Sequence, residues 1–404
     1  MAMQQGPGRP VPVVFTGTRR ELAGLLLRGY VLLLPTIGLY RFWLLTWKRR
    51  FYWSNTEIDG DGLEYTGNAL QLLVGFLMAL AVFLPLYALF FYLSTQSRDA
   101  AILGYGGIGI ALWFLAGYAI YRARDFRLSR TLWRGIRFDQ TGNSWAYALR
   151  RFGWSLLTVA TLGLAYPFMA ASLWRYRYVH CWYGDLRFDF TGNWKQLAAP
   201  FYLTYLLMAV IGAIAVGSGV AMGALPADGQ VEPRGLVPMA IGALLIGMLA
   251  LRYQARELSA MYSSVRLGGA VVTVKVAGRS LIWQYVLCAL ALLAAFAVLA
   301  TGGFAVLSVV AHQAFEGGGF DAEIFVQQMQ SSLVTLIAII FGYLLILGAF
   351  NLVTELFVGL GYWRLIARGA TIAGGNTLGD VRARAEDKAL AGEGLADALN
   401  VGAY

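Results

Sequence analysis

Two cysteines and two histidines in 404 residues rule out several kinds of chemistry at the outset. Cys181 and Cys288 lie far apart, one in a polar segment and one inside an apolar stretch, which excludes a disulfide framework and leaves two free thiols. His180 adjoins Cys181, and neighbours in a strand point to opposite faces; the other histidine, His312, is distant. No metal site or cofactor is therefore expected. A phosphate-binding lysine loop, a zinc-protease helix and a nucleophile elbow are all missing, so an enzymatic role is disfavoured. Charge is scarce as well: 13% of residues are charged, against 58% hydrophobic and 14% aromatic. A soluble core of this size does not need that much apolar surface, which excludes a soluble globular protein and points to a bilayer.

Eight apolar stretches run at 22–47, 69–94, 101–121, 146–173, 197–222, 236–254, 281–311 and 332–360. Each reaches the roughly 20 residues that span a hydrocarbon core. The polar, Pro/Gly-rich first segment is followed by no small-residue cleavage site, so no removable signal peptide is expected.

Residues 17–68 return without insertion at 142–193. Gly17, Thr36, Gly38, Leu39, Arg50, Thr66, Gly67 and Asn68 reappear 125 positions later as Gly142, Thr161, Gly163, Leu164, Arg175, Thr191, Gly192 and Asn193. Unchanged spacing over that length indicates a duplicated structural unit.

The formal charge of +10 is distributed unevenly. Segments 95–100, 223–235 and 312–331 hold only Arg98 and Arg234 among their basic residues, and the last carries Glu316, Asp321 and Glu323. Segments 48–68 and 122–151 are rich in Lys and Arg. Because basic loops stay preferentially on the cytoplasmic side, the first group should face outward and the second inward. Eight simple crossings cannot satisfy this pattern. It is satisfied if the two repeat copies, stretches 1 and 4, enter and leave on one side. Each contains a break, Pro35-Thr36-Ile37-Gly38 in one and Thr161-Leu162-Gly163 followed by Pro167 in the other, where a helix would turn back. The competing arrangement makes both stretches kinked full spans.

A second motif favours the same topology. After stretches 1, 3, 4, 6 and, more loosely, 8 comes an aromatic-basic cluster, a polar run, and a β-like alternation that mostly ends in Gly. Glu57-Ile58-Asp59-Gly60-Asp61-Gly62-Leu63-Glu64-Tyr65 has the Asp-Gly chemistry of a β-hairpin, and Tyr183 to Phe190 alternates in the same way. Equivalent motifs should meet one environment, and such ribbons could pair into a small cytoplasmic sheet. The expected fold is therefore a polytopic α-helical membrane protein with an internal repeat of about 125 residues. It would have about six full transmembrane helices, two re-entrant or interfacial helical hairpins, and short β-hairpins on the cytoplasmic face. The division expected is a flexible N-terminus at 1–14, membrane repeats at 15–141 and 142–277, a third, degenerate helical pair at 278–361, and a cytoplasmic C-terminal tail at 362–404.

Phe15-Thr16-Gly17, then Thr36-Ile37-Gly38-Leu39-Tyr40 with Trp43, then Lys48-Arg49-Arg50-Phe51-Tyr52 and Tyr65-Thr66-Gly67, resemble in this order the YjgN family of bacterial inner-membrane proteins, a family of unknown function. The likeness is best over residues 15–195. Where that family has Pro before the Trp, this chain has Phe42, although its second copy keeps Pro167. The resemblance implies a bacterial cytoplasmic membrane and a multi-pass helical fold, and brings no catalytic residues with it.

The glycine pattern from Gly104 to Gly109 lies in an apolar span, so close helix packing is expected there and not dinucleotide binding; Gly219 and Gly223 read the same way. The polar groups at membrane depth are Arg28, Asn351 and Glu355, the candidate intramembrane site, with Asn351 and Glu355 four apart on one helix face. Lys48, Arg49, Arg50, Arg122, Arg124, Arg175 and Arg177 are candidate contacts for anionic headgroups of the cytoplasmic leaflet. These clusters begin at helix ends, which favours lipid over nucleic acid. Both termini should be cytoplasmic, and a membrane-protein partner or a homo-oligomer is compatible with the chain. A transporter, a channel or a lipid-interacting protein is the first functional reading. An accessory or scaffold subunit, for a membrane protease for instance, is the alternative. A lipid-acting enzyme would need His180, Asp185 and Asp189 gathered at one interface.

Overall fold

The computed structural model describes residues 10–224, 232–310, 314, 320–331 and 333–384. His312, Glu316 and the tail beyond residue 384 lie outside the described residues.

β1 (Val11–Phe15) leads into a helical hairpin, α1 (Arg19–Leu33) and α2 (Arg41–Ser54), then into β2 (Thr56–Ile58) and β3 (Asp61–Tyr65). A longer hairpin follows, α3 (Ala69–Ser94) and α4 (Arg98–Ser129), then β4 (Thr131–Trp133) and β5 (Ile136–Gln140). The pattern repeats with α5 (Ser144–Ala160), α6 (Tyr166–Val179), β6 (Cys181–Tyr183) and β7 (Leu186–Phe190), and again with α7 (Trp194–Ala221), α8 (Pro233–Tyr262), β8 (Val265–Leu267) and β9 (Ala270–Val274). It ends with α9 (Gly278–Val310), α10 (Ala322–Ser331), α11 (Leu333–Thr354), a π-helical turn (Glu355–Gly359), α12 (Leu360–Gly369) and β10 (Ala370–Ala373).

Among the described residues six helices are long and apolar enough to cross a membrane: α3, α4, α7, α8, α9 and the continuous helix Leu336–Gly369. Their apolar windows are only 0–11% buried within the protein, the reverse of a soluble core. Small residues pack two of the pairs, α3 with α4 and α7 with α8. A Cβ on Gly104 would lie 3.0 Å from the Phe90 carbonyl oxygen on α3, and one on Gly219 would lie 2.9 Å from the Gly235 carbonyl oxygen on α8.

The other two hairpins are shorter. α1 and α2 have 15 and 14 residues, and α5 and α6 have 17 and 14. At about 1.5 Å per residue these reach roughly 21–26 Å. Their tips are built alike. Thr36 Oγ1 donates to Leu32 O at 2.7 Å and accepts from the Tyr40 amide at 3.1 Å; Thr161 Oγ1 donates to Leu157 O at 2.8 Å and accepts from the Ala165 amide at 3.1 Å. Gly38 and Gly163, with φ of 81° and 95°, donate back to Leu33 O and Thr158 O, which closes the helix end in the manner of a Schellman turn. The turn in the second copy falls at Leu162-Gly163, and Pro167 sits in the first turn of α6, where its missing N–H costs no helical bond.

All the strands pair antiparallel, and the order returns to its start because β1 pairs with both β2 and β10. Tight turns join β2 to β3 and β4 to β5, with positive φ at Asp59-Gly60 and Arg134-Gly135, the twist-matched hairpin geometry that Asp-Gly favours. The helical hairpins connect the strands on the opposite end of the ring. One backbone bond recurs at each of these connections: Thr16, Thr66, Thr141, Thr191 and Lys275 donate N–H to the carbonyls of Asn55, Arg130, His180, Ser264 and Gly369, at 2.9–3.0 Å. Phe15, Tyr65 and Phe190 fold over the glycine two positions on. A Cβ on Gly17, Gly67 or Gly192 would lie 2.4–2.7 Å from those rings, which is why the motif ends in Gly.

Inside the ring Trp133, Tyr183, Leu267 and Ala270 form one buried cluster with Leu378 from the C-terminal segment, and Ile58, Phe138 and Ile372 pack against it. Arg382 donates its amide to Asp185 at 3.0 Å, holding this segment across the turns. Two expected boundaries therefore move. Val11–Phe15 is a paired strand and not part of a flexible terminus, and residues 362–384 are not tail, because α12 and β10 complete the ring and Leu378 plugs it.

Tyr183 is 1% exposed and donates to Trp133 O at 3.0 Å. Burial pushes its hydroxyl up to about 12, with Asp61 adding to the shift and Arg134 opposing it. A raised value means that stability from the neutral form is complete below the ordinary tyrosine value and is lost as pH climbs through the folded one. Tyr183→Ala should cost about 3–5 kcal/mol and Tyr183→Phe about 1 kcal/mol, read from denaturant unfolding in micelles. An unchanged midpoint for the alanine variant would contradict the filled ring.

Candidate functional site

A largely buried polar cluster forms where the first short hairpin, α1 and α2, meets the continuous helix Leu336–Gly369. Glu355 opens the π-helical turn, and its carboxylate accepts from Tyr52 Oη at 2.7 Å and from Lys48 Nζ at 3.2 Å. The Glu355 side chain is 12% exposed and that of Lys48 is 21%. Both donors come from α2, four residues apart and so on one face. Gly359 makes room: a Cβ there would lie 2.9 Å from the Glu355 carboxyl carbon. The wide turn disrupts the regular helical ladder, and buried Gln284 from α9 donates to the Val358 carbonyl at 2.7 Å. Arg19 lies over the Phe357 ring at 4.7 Å.

A second carboxylate has a similar setting. Glu257 on α8 accepts from Tyr166 Oη of α6 at 2.9 Å, again joining a long helix to a short hairpin. Sequence reasoning passed over Glu257 and Gln284. Gln284 is a polar residue within an apolar helix, the same signal that marked Glu355, whereas Glu257 sits in the arginine-containing end of α8 and carried no such signal.

The expected trio is not brought together. Asn351 is exposed and donates to Leu347 O of its own helix at 2.9 Å. Arg28 is exposed on α1 and lines a separate groove with Arg20, Glu21, Tyr40 and Trp47. Of the cationic side chains expected at headgroups, several turn into the protein. Arg49 is 7% exposed and donates to Tyr65 Oη at 2.9 Å. Arg124 donates to Gln140 Oε1 at 3.1 Å and covers Tyr178 at 4.5 Å. Arg122 pairs with Asp125 at 3.5 Å, and Arg177 stacks on Trp174 at 4.8 Å. Arg50 and Arg175 are exposed, and each also donates to a motif glycine, Gly67 O at 3.3 Å and Gly192 O at 3.1 Å. Arg364 makes the corresponding bond to Gly17 O.

His180 Nδ1 bonds Tyr176 O at 2.7 Å, and the Cys181 thiol donates to Arg177 O at 2.9 Å, so both are used locally. Among the described residues no group of His, Cys, Asp and Glu gathers as metal ligands do.

A model for a family of bacterial proteins of unknown function, DUF898, matches residues 10–398. The chain belongs to the DUF898 family. The match takes in the ring and the helical hairpins alike, so the whole architecture described above falls within DUF898. No curated protein and no solved structure matches it.

Breaking a buried ion pair costs about 3–5 kcal/mol, but Lys48 retains some solvent, so Glu355→Ala should destabilise this DUF898 chain by about 2 kcal/mol. The double change Lys48→Met with Glu355→Leu should recover at least half of that loss. Thermal unfolding in micelles checks both; equal stability of wild type and Glu355→Ala would show that the cluster does not fasten the hairpin.

Proposed function

We propose that the chain is a multi-pass inner-membrane protein that engages lipid, with six crossing helices and the two short hairpins inserted from the cytoplasmic side to partial depth. The observation that carries this is the hairpin tip. Ile37 is 94% exposed and Leu162 is 80% exposed, at turns whose polar backbone groups are closed internally by Thr36, Gly38, Thr161 and Gly163. An exposed apolar residue on a self-satisfied turn suits hydrocarbon and would be unfavourable in water. The short hairpins fall below the roughly 30 Å of the core, and their two ends join strands of the same ring. The Lys and Arg residues at the ring end support a cytoplasmic ring and cytoplasmic termini.

The filled ring argues against an axial route for solute. A path would have to displace Trp133, Tyr183 and Leu378, and the carboxylates Glu355 and Glu257 are held by tyrosines between helices. The polar clusters fit the role of fastening unequal hairpins together, and the exposed apolar flanks fit contact with lipid.

Single cysteines at Ile37, Gln96 and Glu64, in a chain with Cys181 and Cys288 replaced by alanine, test the arrangement. In intact cells Gln96→Cys should react with an impermeant maleimide and Glu64→Cys only after lysis. Ile37→Cys should resist in both cases, and a spin label there should sense oxygen more than a water-soluble relaxant. Labelling of Ile37→Cys from outside would overturn the proposal.

A further inference from the structure

A cleft of about 810 Å³ opens between α8 and α9 at the ring end. Three arginines stand on its wall, Arg252 and Arg256 from α8 and Arg279 from the start of α9. Arg252 and Arg256 are four residues apart and share a helix face. All three are exposed, and among the described residues none pairs with another and no carboxylate lines the cleft. This sets them apart from Lys48, Arg122 and Arg134, each of which has an acidic partner. Guanidinium groups that line one cleft without a described counter-charge repel one another, and a phosphate relieves that repulsion with charge-assisted, bidentate hydrogen bonds.

Local sequence agrees with this assignment. In three other hairpins the residue after the motif glycine caps the following helix: Thr18, Asn68 and Asn143 each accept an amide from the first turn. At the position matching these caps, two residues after Lys275, stands Ala277, whose side chain has no acceptor to offer, so the first-turn amides of α9 lack a side-chain cap and can meet an anion. One turn further, Ile282 and the 60%-exposed Trp283 form an apolar wall. An indole at that level suits the membrane interface, and an apolar wall beside the arginines suits an acyl chain.

We propose that this cleft binds the phosphate of an anionic membrane lipid, with Arg252, Arg256 and Arg279 holding the headgroup and Trp283 lying along the chain. The proposal rests on the placement of the ring end at the cytoplasmic leaflet.

Native mass spectrometry of the full chain from neutral detergent tests it, with dioleoylphosphatidylglycerol as the probe. The wild type should retain one tightly bound lipid. Replacement of the three arginines by glutamine should weaken that binding by at least about tenfold, whereas Arg28→Gln, in the separate groove on α1, should leave it unchanged. Replacement of the three by lysine, which keeps the charge, should restore part of it and guards against a folding defect. Equal retention by the glutamine variant would overturn the site. Displacement of the lipid by millimolar inorganic phosphate would overturn the lipid assignment in favour of free phosphate. Impermeant labelling of Glu64→Cys in the same cells separates the two readings: labelling from outside, with arginine-dependent retention intact, would sink the orientation and leave the cleft standing.

Discussion

The rest of the structure depends on one backbone hydrogen bond, made at each place where a strand hands over to a helical hairpin. The amide leaving the strand donates to the carbonyl that ends the hairpin's return helix, so both feet of each hairpin are tied to the same point on the ring. With the feet fixed, hairpin length alone decides how far each pair of helices reaches. The long pairs have the length and composition to cross a bilayer, whereas the helices of the short pairs run to 14–17 residues. Arg50, Arg175 and Arg364 reinforce the join by donating to the glycine that opens the next unit.

The ring explains the glycines as well. β1, β3 and β7 each end on an aromatic residue that turns back over Gly, and that contact leaves no space for a side chain. The first and last strands close the ring only if the two ends of the chain meet, so Val11–Phe15 and Ala370–Ala373 are as much part of the fold as any helix. Its interior is then filled by aromatic and aliphatic side chains, as in other small barrels, with Leu378 completing the plug.

Much of this was legible in the residues. The unchanged spacing of the two copies, the Thr-x-Gly breaks, the Asp-Gly turn and the recurring aromatic-basic motif all reflect local chemistry and could be read directly. Closure of the ring could not, because β1 and β10 are brief and lie at opposite ends of the sequence, and pairing between distant segments leaves no local signature. The polar sites divided in the same way. Glu355 stood out as a charge in an apolar helix, but its partners Lys48 and Tyr52 belong to a different hairpin, and Arg49 and Arg124, apparently interfacial by position, turn inward onto Tyr65 and Gln140. Direction around a helix end depends on what packs beside it, which spacing alone does not encode.

Closure of the ring by the two ends of the chain is the claim that everything else requires. Pro12 faces Thr371 in the register of β1 and β10. Proline has no N–H to donate, so this is a non-hydrogen-bonded pair, the kind whose side chains lie closest. With Cys181 and Cys288 replaced by alanine, cysteines at positions 12 and 371 should form an intramolecular disulfide on mild oxidation in native membranes, seen as a faster-migrating monomer that reverts on reduction. Failure to form that link, or links between chains only, would contradict the closed ring and with it the common footing of the hairpins.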